Sequence, residues 1–255
     1  MQRSLLLTAA LLAAGAAALP AQQIANDANP LFHPLSIRMS TISVPPIPGV
    51  PFFAVALIEN KQTMPDGSVA ATRNVNLIGR DSRGRTHGEM RNRVPVSFEG
   101  MPPLLEVHLY DPQTRVQTVY EPATRIARRS LRPEPRQPMN PSNQSDASNP
   151  LVKVEDLGSD TIQNIDVKGT RRTVTIPAQA NASGVELTIV DEYWYSEDLH
   201  VNLLLRHNDP RTGDQTVTLS QLKREEPVQE FFEVPQDCKI VDMTPPPGAP
   251  AARPR

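Results

Sequence analysis

Apolar residues in this chain recur at every second position, and nowhere do they hold a helical period through three turns with a cap at each end. Period two is the repeat of a pleated strand, whose successive side chains leave on opposite faces. Phe53, Val55 and Leu57 share one face and Ala54, Ala56 and Ile58 the other, so the segment from Phe52 reads as a central strand covered on both sides. Met64-Pro65-Asp66-Gly67-Ser68 is hairpin turn chemistry, and Val69 to Arg80 returns as a second strand with Val75 and Leu77 inward. Asp81-Ser82-Arg83-Gly84-Arg85 turns into Thr86 to Val94. Leu105, Val107 and Leu109 then alternate before Asp111-Pro112, and Val116, Thr118 and Tyr120 after it. The pattern resumes at Leu151 and strengthens past Gly169, through Thr173 to Pro177, Val185-Leu187-Ile189 and Val201-Leu203-Leu205. A turn over Asn208 to Asp214 leads to Val217 and Leu219, and Pro227 to Phe232 suits a single turn of helix. Together these predict a mostly β fold, a curved, half-barrel-like antiparallel sheet with little helix.

The flanking segments follow other rules. Met1-Gln2-Arg3 and the uncharged run from Leu5 to Ala18 form a secretory signal peptide, too short to stay as a membrane span. Cleavage is expected after Ala21, with Ala18 the alternative. A lipid-modified start needs a cysteine just after the apolar run, and the only cysteine is Cys238, so the mature chain is expected as a soluble periplasmic or secreted species. Residues 22–50 contain Pro30, Pro34, Pro45, Pro46 and Pro48 and read as an extended arm. Residues 51–244 read as one β domain with a flexible insertion at 131–150, where Pro, Asn, Ser and Gln cannot offset about 1–2 kcal/mol per residue of ordering entropy. Residues 245–255 read as a disordered tail.

A lone cysteine forms no internal bridge, so a packed core must hold the fold. The 26 basic and 28 acidic residues give a net charge of -2, which lacks the footprint of a nucleic-acid binder. The basic run Arg125 to Arg129 reads as the solvated face of a strand.

Catalytic signatures are sparse. His33, His87, His108, His200 and His207 show no metal-site spacing, and no Gly-x-Ser-x-Gly elbow, phosphate loop or dinucleotide fingerprint occurs. The doublets Glu155-Asp156, Asp191-Glu192 and Glu225-Glu226 suit acid and base roles on paper, but adjacent strand residues point apart, so each is expected to contribute a solvated charge. The Asp209 to Asp214 segment reads as plain turn chemistry rather than a calcium loop. No catalytic residue, metal or cofactor is expected. The remaining concentration is apolar: Tyr193, Trp194 and Tyr195 followed by Leu203 and Leu205, either the large residues of a filled core or the lining of a ligand groove.

From Trp194 the chain runs Trp-Tyr-Ser, an apolar strand to Leu205, Asp209-Pro210-Arg211-Thr212-Gly213, an alternating strand from Thr216 to Leu222, and Phe231-Phe232-Glu233-Val234-Pro235. This resembles the closing hairpin of the outer-membrane lipoprotein carrier and sorting superfamily. Asp66-Gly67, Arg80 to Arg85 and the Gly158 to Gly169 stretch resemble uncharacterised exported bacterial proteins. The resemblance implies a curved sheet whose concave side holds an acyl chain or lipoprotein. The resulting expectation is a non-enzymatic periplasmic protein that binds an apolar ligand or an envelope protein partner, without spanning the membrane. The alternatives are a hydrolase of an envelope polymer and a structural subunit of an envelope complex.

Overall fold

In a computed structural model of the chain, which describes residue 42 and residues 44–64, 66–132 and 149–244, the period-two segments pair into one thirteen-stranded sheet. The signal peptide, most of the arm, the interior of the 131–150 insertion and the tail lie outside the described residues. The strands are β1 (Phe52–Thr63), β2 (Val69–Arg80), β3 (Thr86–Arg91), β4 (Val94–Pro95), β5 (Leu104–Asp111), β6 (Val116–Glu121) and β7 (Ile126–Leu131). After the insertion come β8 (Val152–Ile162), β9 (Ile165–Ile176), β10 (Leu187–Ser196), β11 (Val201–Asp209), β12 (Gly213–Lys223) and β13 (Lys239–Asp242). They lie in the order β13-β7-β6-β5-β3-β2-β1-β12-β11-β10-β9-β8, with β4 on β2. Every pairing is antiparallel except β13 with β7. Two short 3-10 turns, Ala178–Ala180 and Gln229–Phe232, are the helical elements among the described residues, none long enough to cross a membrane.

The first hairpin closes as its turn chemistry requires: Gly67 takes φ +82°, and Ser68 donates its backbone N–H to Asp66 Oδ1. β1 is central, and Phe52, Ala54, Ala56 and Ile58 on one of its faces are fully buried. The sheet curls toward that face. Gln163, at the tip of the β8–β9 hairpin, donates to the Leu219 carbonyl of β12, and Ile165 and Val167 join the cluster built on Phe52, Ala54, Ala56, Leu203 and Leu219.

β2 departs from expectation. Val75 and Leu77 are only half-buried, whereas Asn74 and Asn76, on the concave side, are buried. The cause is a split in the sheet: β2 and β3 pair only from Ile78↔Gly88 to Arg80↔Thr86. Beyond that point side chains replace the missing ladder. Asn74 Nδ2 donates to the Arg91 carbonyl, the Arg91 N–H to Asn76 Oδ1, and the Leu77 N–H to Glu89 Oε2. Arg91 clamps the buried Glu89 carboxylate with two guanidinium bonds of 2.7 and 3.0 Å. Backbone groups that the split would strand in the interior are thereby satisfied.

The Arg80-Asp81-Ser82-Arg83-Gly84-Arg85 segment is a junction. Asp81, 1% exposed, accepts the N–H groups of Arg83 and Arg85 and the Arg85 guanidinium, which holds the turn. The Ser82 carbonyl accepts the Gly49 N–H of the arm, while the Ser82 N–H donates to Glu226 of the C-terminal segment. Arg80 is fully buried and has its three donor nitrogens on three carbonyls, those of Pro45, Val50 and Leu199. Downstream of Glu226 the chain straps the opposite, convex face. Phe231 stacks on His87 with ring centroids 3.6 Å apart, meets Phe53 edge-on, and lies where a Cβ on Gly79 would collide with it. The strap ends as β13.

Candidate functional site

Strand register arranges the concave face of β1, β12, β11 and β10 into parallel cross-strand rows. Ala56 pairs with Leu219, with Leu203 nearby on β11. Two positions along each strand, Ile58, Val217, Leu205 and Tyr193 line up and form one buried cluster. Ile42 of the arm packs on both clusters and Val44 belongs to the larger one. Two positions further on, the row turns polar: Asn60, Gln215, His207, Asp191 and, on β9, Arg172. Asn60, Gln215 and Asp191 are 3%, 3% and 4% exposed.

Two pairs in this polar row are hydrogen-bonded, Gln215 with Asn60 and His207 with Asp191, and atoms are left over. Gln215 Nε2 donates to Asn60 Oδ1 at 2.8 Å. His207 Nδ1 lies 2.6 Å from Asp191 Oδ1, so the carboxylate accepts from Nδ1–H, and a ring with that single proton presents Nε2 as an acceptor. Asp191 Oδ2 lies 3.8 Å from Arg172 Nη1, close enough for ion pairing and too long for a hydrogen bond. Asn60 Nδ2, His207 Nε2 and Asp191 Oδ2 are buried without a hydrogen-bond partner. Burial raises the Tyr193 phenol well above its ordinary pKa, and Asp191 adds to the shift. In the next row Asp209 is fully buried. Burial opposes its ionisation, but the Arg211 side chain and backbone N–H outweigh that and hold the carboxyl below the usual range.

The same strands carry opposite chemistry outside. Glu192 accepts Arg171 at 2.6 Å and Arg206 at 3.2 Å in an exposed charge lattice. Asp191 and Glu192 do point apart, yet Asp191 is a buried, paired carboxylate rather than a solvated charge. Beyond each other, the register partners of His207 and Asp191 are Gln215 and Arg172, neither of which carries a hydroxyl or thiol.

Of the residues singled out by sequence, the structure brings Tyr193, Leu203 and Leu205 onto the concave face. Trp194 pairs with Leu204, packs half-buried against the larger cluster, and has its ring 2.8 Å from the Cβ position of Gly169. A register shift follows it. Tyr195 is half-buried, with its hydroxyl 3.4 Å from His200 Nδ1, and lines an open polar depression of about 520 Å³ with Asp160, Lys168 and Glu197. Another depression, of about 530 Å³, lies between the strap and β5–β7 and is lined by Leu109, Thr118, Arg129, Phe232 and Asp242. Ile58, Val217, Asn60 and His207 were missed as site residues. Their signal was two apolar positions followed by a polar one at spacing two on three strands, which becomes a row only once register is known.

No family model and no curated protein matches the chain. Among solved structures it is similar to an uncharacterized conserved protein from Thermus thermophilus, at 11% identity and a TM-score of 0.41, covering 76% of this chain and 91% of that one. It is similar to MucB of Pseudomonas aeruginosa in its complex with MucA, at 11% identity and a TM-score of 0.37, covering 75% of this chain and 58% of that one. It is also similar to a LolA superfamily protein from Nitrosomonas europaea, at 12% identity and a TM-score of 0.29, covering 73% of this chain and 91% of that one.

Proposed function

We propose that this is an exported, non-catalytic binding protein of the bacterial envelope that takes an acyl chain, of a lipid or a lipoprotein, on its concave face. The observation that carries this reading is the apolar row Ile58, Val217, Leu205 and Tyr193 on the inside of an unclosed sheet, continuous with Ala56, Leu203 and Leu219. Among the described residues, the hydrophobic side chain packed on that row from outside the sheet is Ile42. An acyl chain entering there displaces the Ile42 segment rather than opening the sheet.

Chain length provides the test. Each methylene moved from water onto the row contributes about 0.8 kcal/mol. Shortening a saturated chain from sixteen to twelve carbons should therefore weaken binding by about 3 kcal/mol, roughly 200-fold. The assay is displacement of a fluorescent acyl probe from the delipidated full chain, with thermal stabilisation as a second readout. Folded protein that takes up no probe, or that binds both lengths equally, overturns the reading.

A further inference from the structure

We infer that the Asn60–His207–Asp191 row is a head-group anchor, selective for long-chain amphiphiles whose polar end is an uncharged hydroxyl. The inference rests on the acyl-binding reading and adds the chemistry of the other end of the ligand.

The argument starts from what the row leaves unpaired. A buried polar atom with no partner costs about 1–3 kcal/mol, and three in one row call for an occupant. With its proton on Nδ1, His207 offers Nε2 as an acceptor. Asp191 Oδ2 is a second acceptor, and Asn60 Nδ2 is a donor. The set has more acceptors than donors but needs both served. A hydroxyl does this, donating to His207 Nε2 and accepting from Asn60 Nδ2, while Arg172 faces Asp191 Oδ2. A carboxylate or phosphate supplies acceptors only and sets a negative charge beside the Asp191 carboxylate, 4% exposed. An ammonium supplies donors only and leaves Asn60 unserved. An ether accepts but cannot donate.

Position agrees with this chemistry. The polar row lies two residues along each strand from Ile58, Val217 and Leu205, so a chain lying over those side chains meets the row at one end. Pairing with Arg172 balances the charge of Asp191, and Arg211 balances that of Asp209, so an uncharged head enters without a counter-ion.

The experiment measures the affinities of hexadecanol, its methyl ether and ionised palmitate for the delipidated full chain by probe displacement. Hexadecanol is expected to bind about tenfold tighter than the ether, and tighter than palmitate. In His207→Asn the shorter side-chain amide keeps a donor to Asp191 and leaves no acceptor at the Nε2 position, so ether binding should persist while the preference for the alcohol disappears. Equal affinities for alcohol and ether in the unaltered protein overturn the anchor while leaving the acyl site standing, and that comparison needs no variant. A preference that survives in folded His207→Asn overturns it as well. Binding of none of the three by folded protein overturns the acyl-binding reading beneath it.

Discussion

Replacing Arg80 with Met tests how the arm is held over the concave face. The guanidinium donates from Nε to Val50 at 2.9 Å, from Nη1 to Pro45 at 2.8 Å and from Nη2 to Leu199 at 2.8 Å, and stands 5.2 Å from the centre of the Phe52 ring. Burial pulls its pKa down to about 10, so the native state already bears a desolvation cost that Met would relieve. Against that relief stand three carbonyls, each costing about 1–3 kcal/mol if left dry. The net loss should be about 3–5 kcal/mol, the range seen when one member of a buried charged network is removed. For a chain of this size that lowers Tm by roughly 6–20 °C. Arg80→Lys should fall between the two, because one ammonium cannot reach three divergent carbonyls.

Denaturant unfolding measures the global cost. Amide exchange at Gly49, whose N–H is held by the Ser82 carbonyl, measures loosening of the arm and should accelerate more than exchange in β1. Ligand entry should also quicken, since the segment carrying Ile42 and Val44 is tied to the Pro45 and Val50 carbonyls that Arg80 holds. A loss under about 1 kcal/mol with an unchanged denaturant slope would refute the account, because the three carbonyls would then be finding water.

Three other perturbations read separate parts of the fold. Burial lowers the His87 pKa from 6.5 to about 4, so the native ring is neutral while the unfolded chain protonates; stability should be full above pH 6.5 and decline by roughly 3 kcal/mol as pH falls to about 4. His87→Gln should flatten that part of the pH profile of the unfolding free energy. Gly213→Ala should cost at least about 2 kcal/mol by denaturant unfolding, since Gly213 sits at φ +86° and an added Cβ would run into the Lys61 carbonyl across the β1–β12 pair. In Gly169→Ala the new methyl would press on the Trp194 ring, so emission from the only tryptophan should shift and stability fall by about 1–3 kcal/mol; unchanged emission would place that ring elsewhere.

The strands that alternation revealed are those whose partners are sequence neighbours. β1 with β2, β5 with β6 and β11 with β12 each bring two periodic segments together across a turn rich in Asp, Gly or Thr, so the local signals and the fold agree. Burial was less legible than strand identity. Val75 and Leu77 alternate as an inward face would, but Asn74 and Asn76 stand with Ile78 on the interior side of β2 because the split from β3 needs side-chain donors and acceptors there. Asp191 read as a surface charge because nothing in the linear chain places His207 and Arg172 beside it; only register does. β13 was missed for the same kind of reason. It is four exposed residues pairing in parallel with a strand more than a hundred positions upstream, with no turn to announce it.

An unclosed sheet must also answer for its edges, which offer unpaired backbone groups to other chains. At one end β13 is only four residues long and wholly exposed, too short a template for extended pairing. At the other, β8 is long, but Lys153, Glu155, Asp156 and Asp160 stand along it, and Gly158 at φ +81° marks a register shift against β9 that breaks its line. Charge and bulge make addition of a partner strand unfavourable at β8, as brevity does at β13. The convex face is occupied at β1–β3 by the strap through Phe231 and His87, and at β9–β11 by the Arg171–Glu192–Arg206 lattice. What remains is the concave face, where three buried polar atoms go unpaired beside an apolar row and the Arg80 junction holds the covering arm in place. Among the described residues, the segment that a ligand would displace there is the one carrying Ile42 and Val44, which is why its entry should depend on a residue that never touches it.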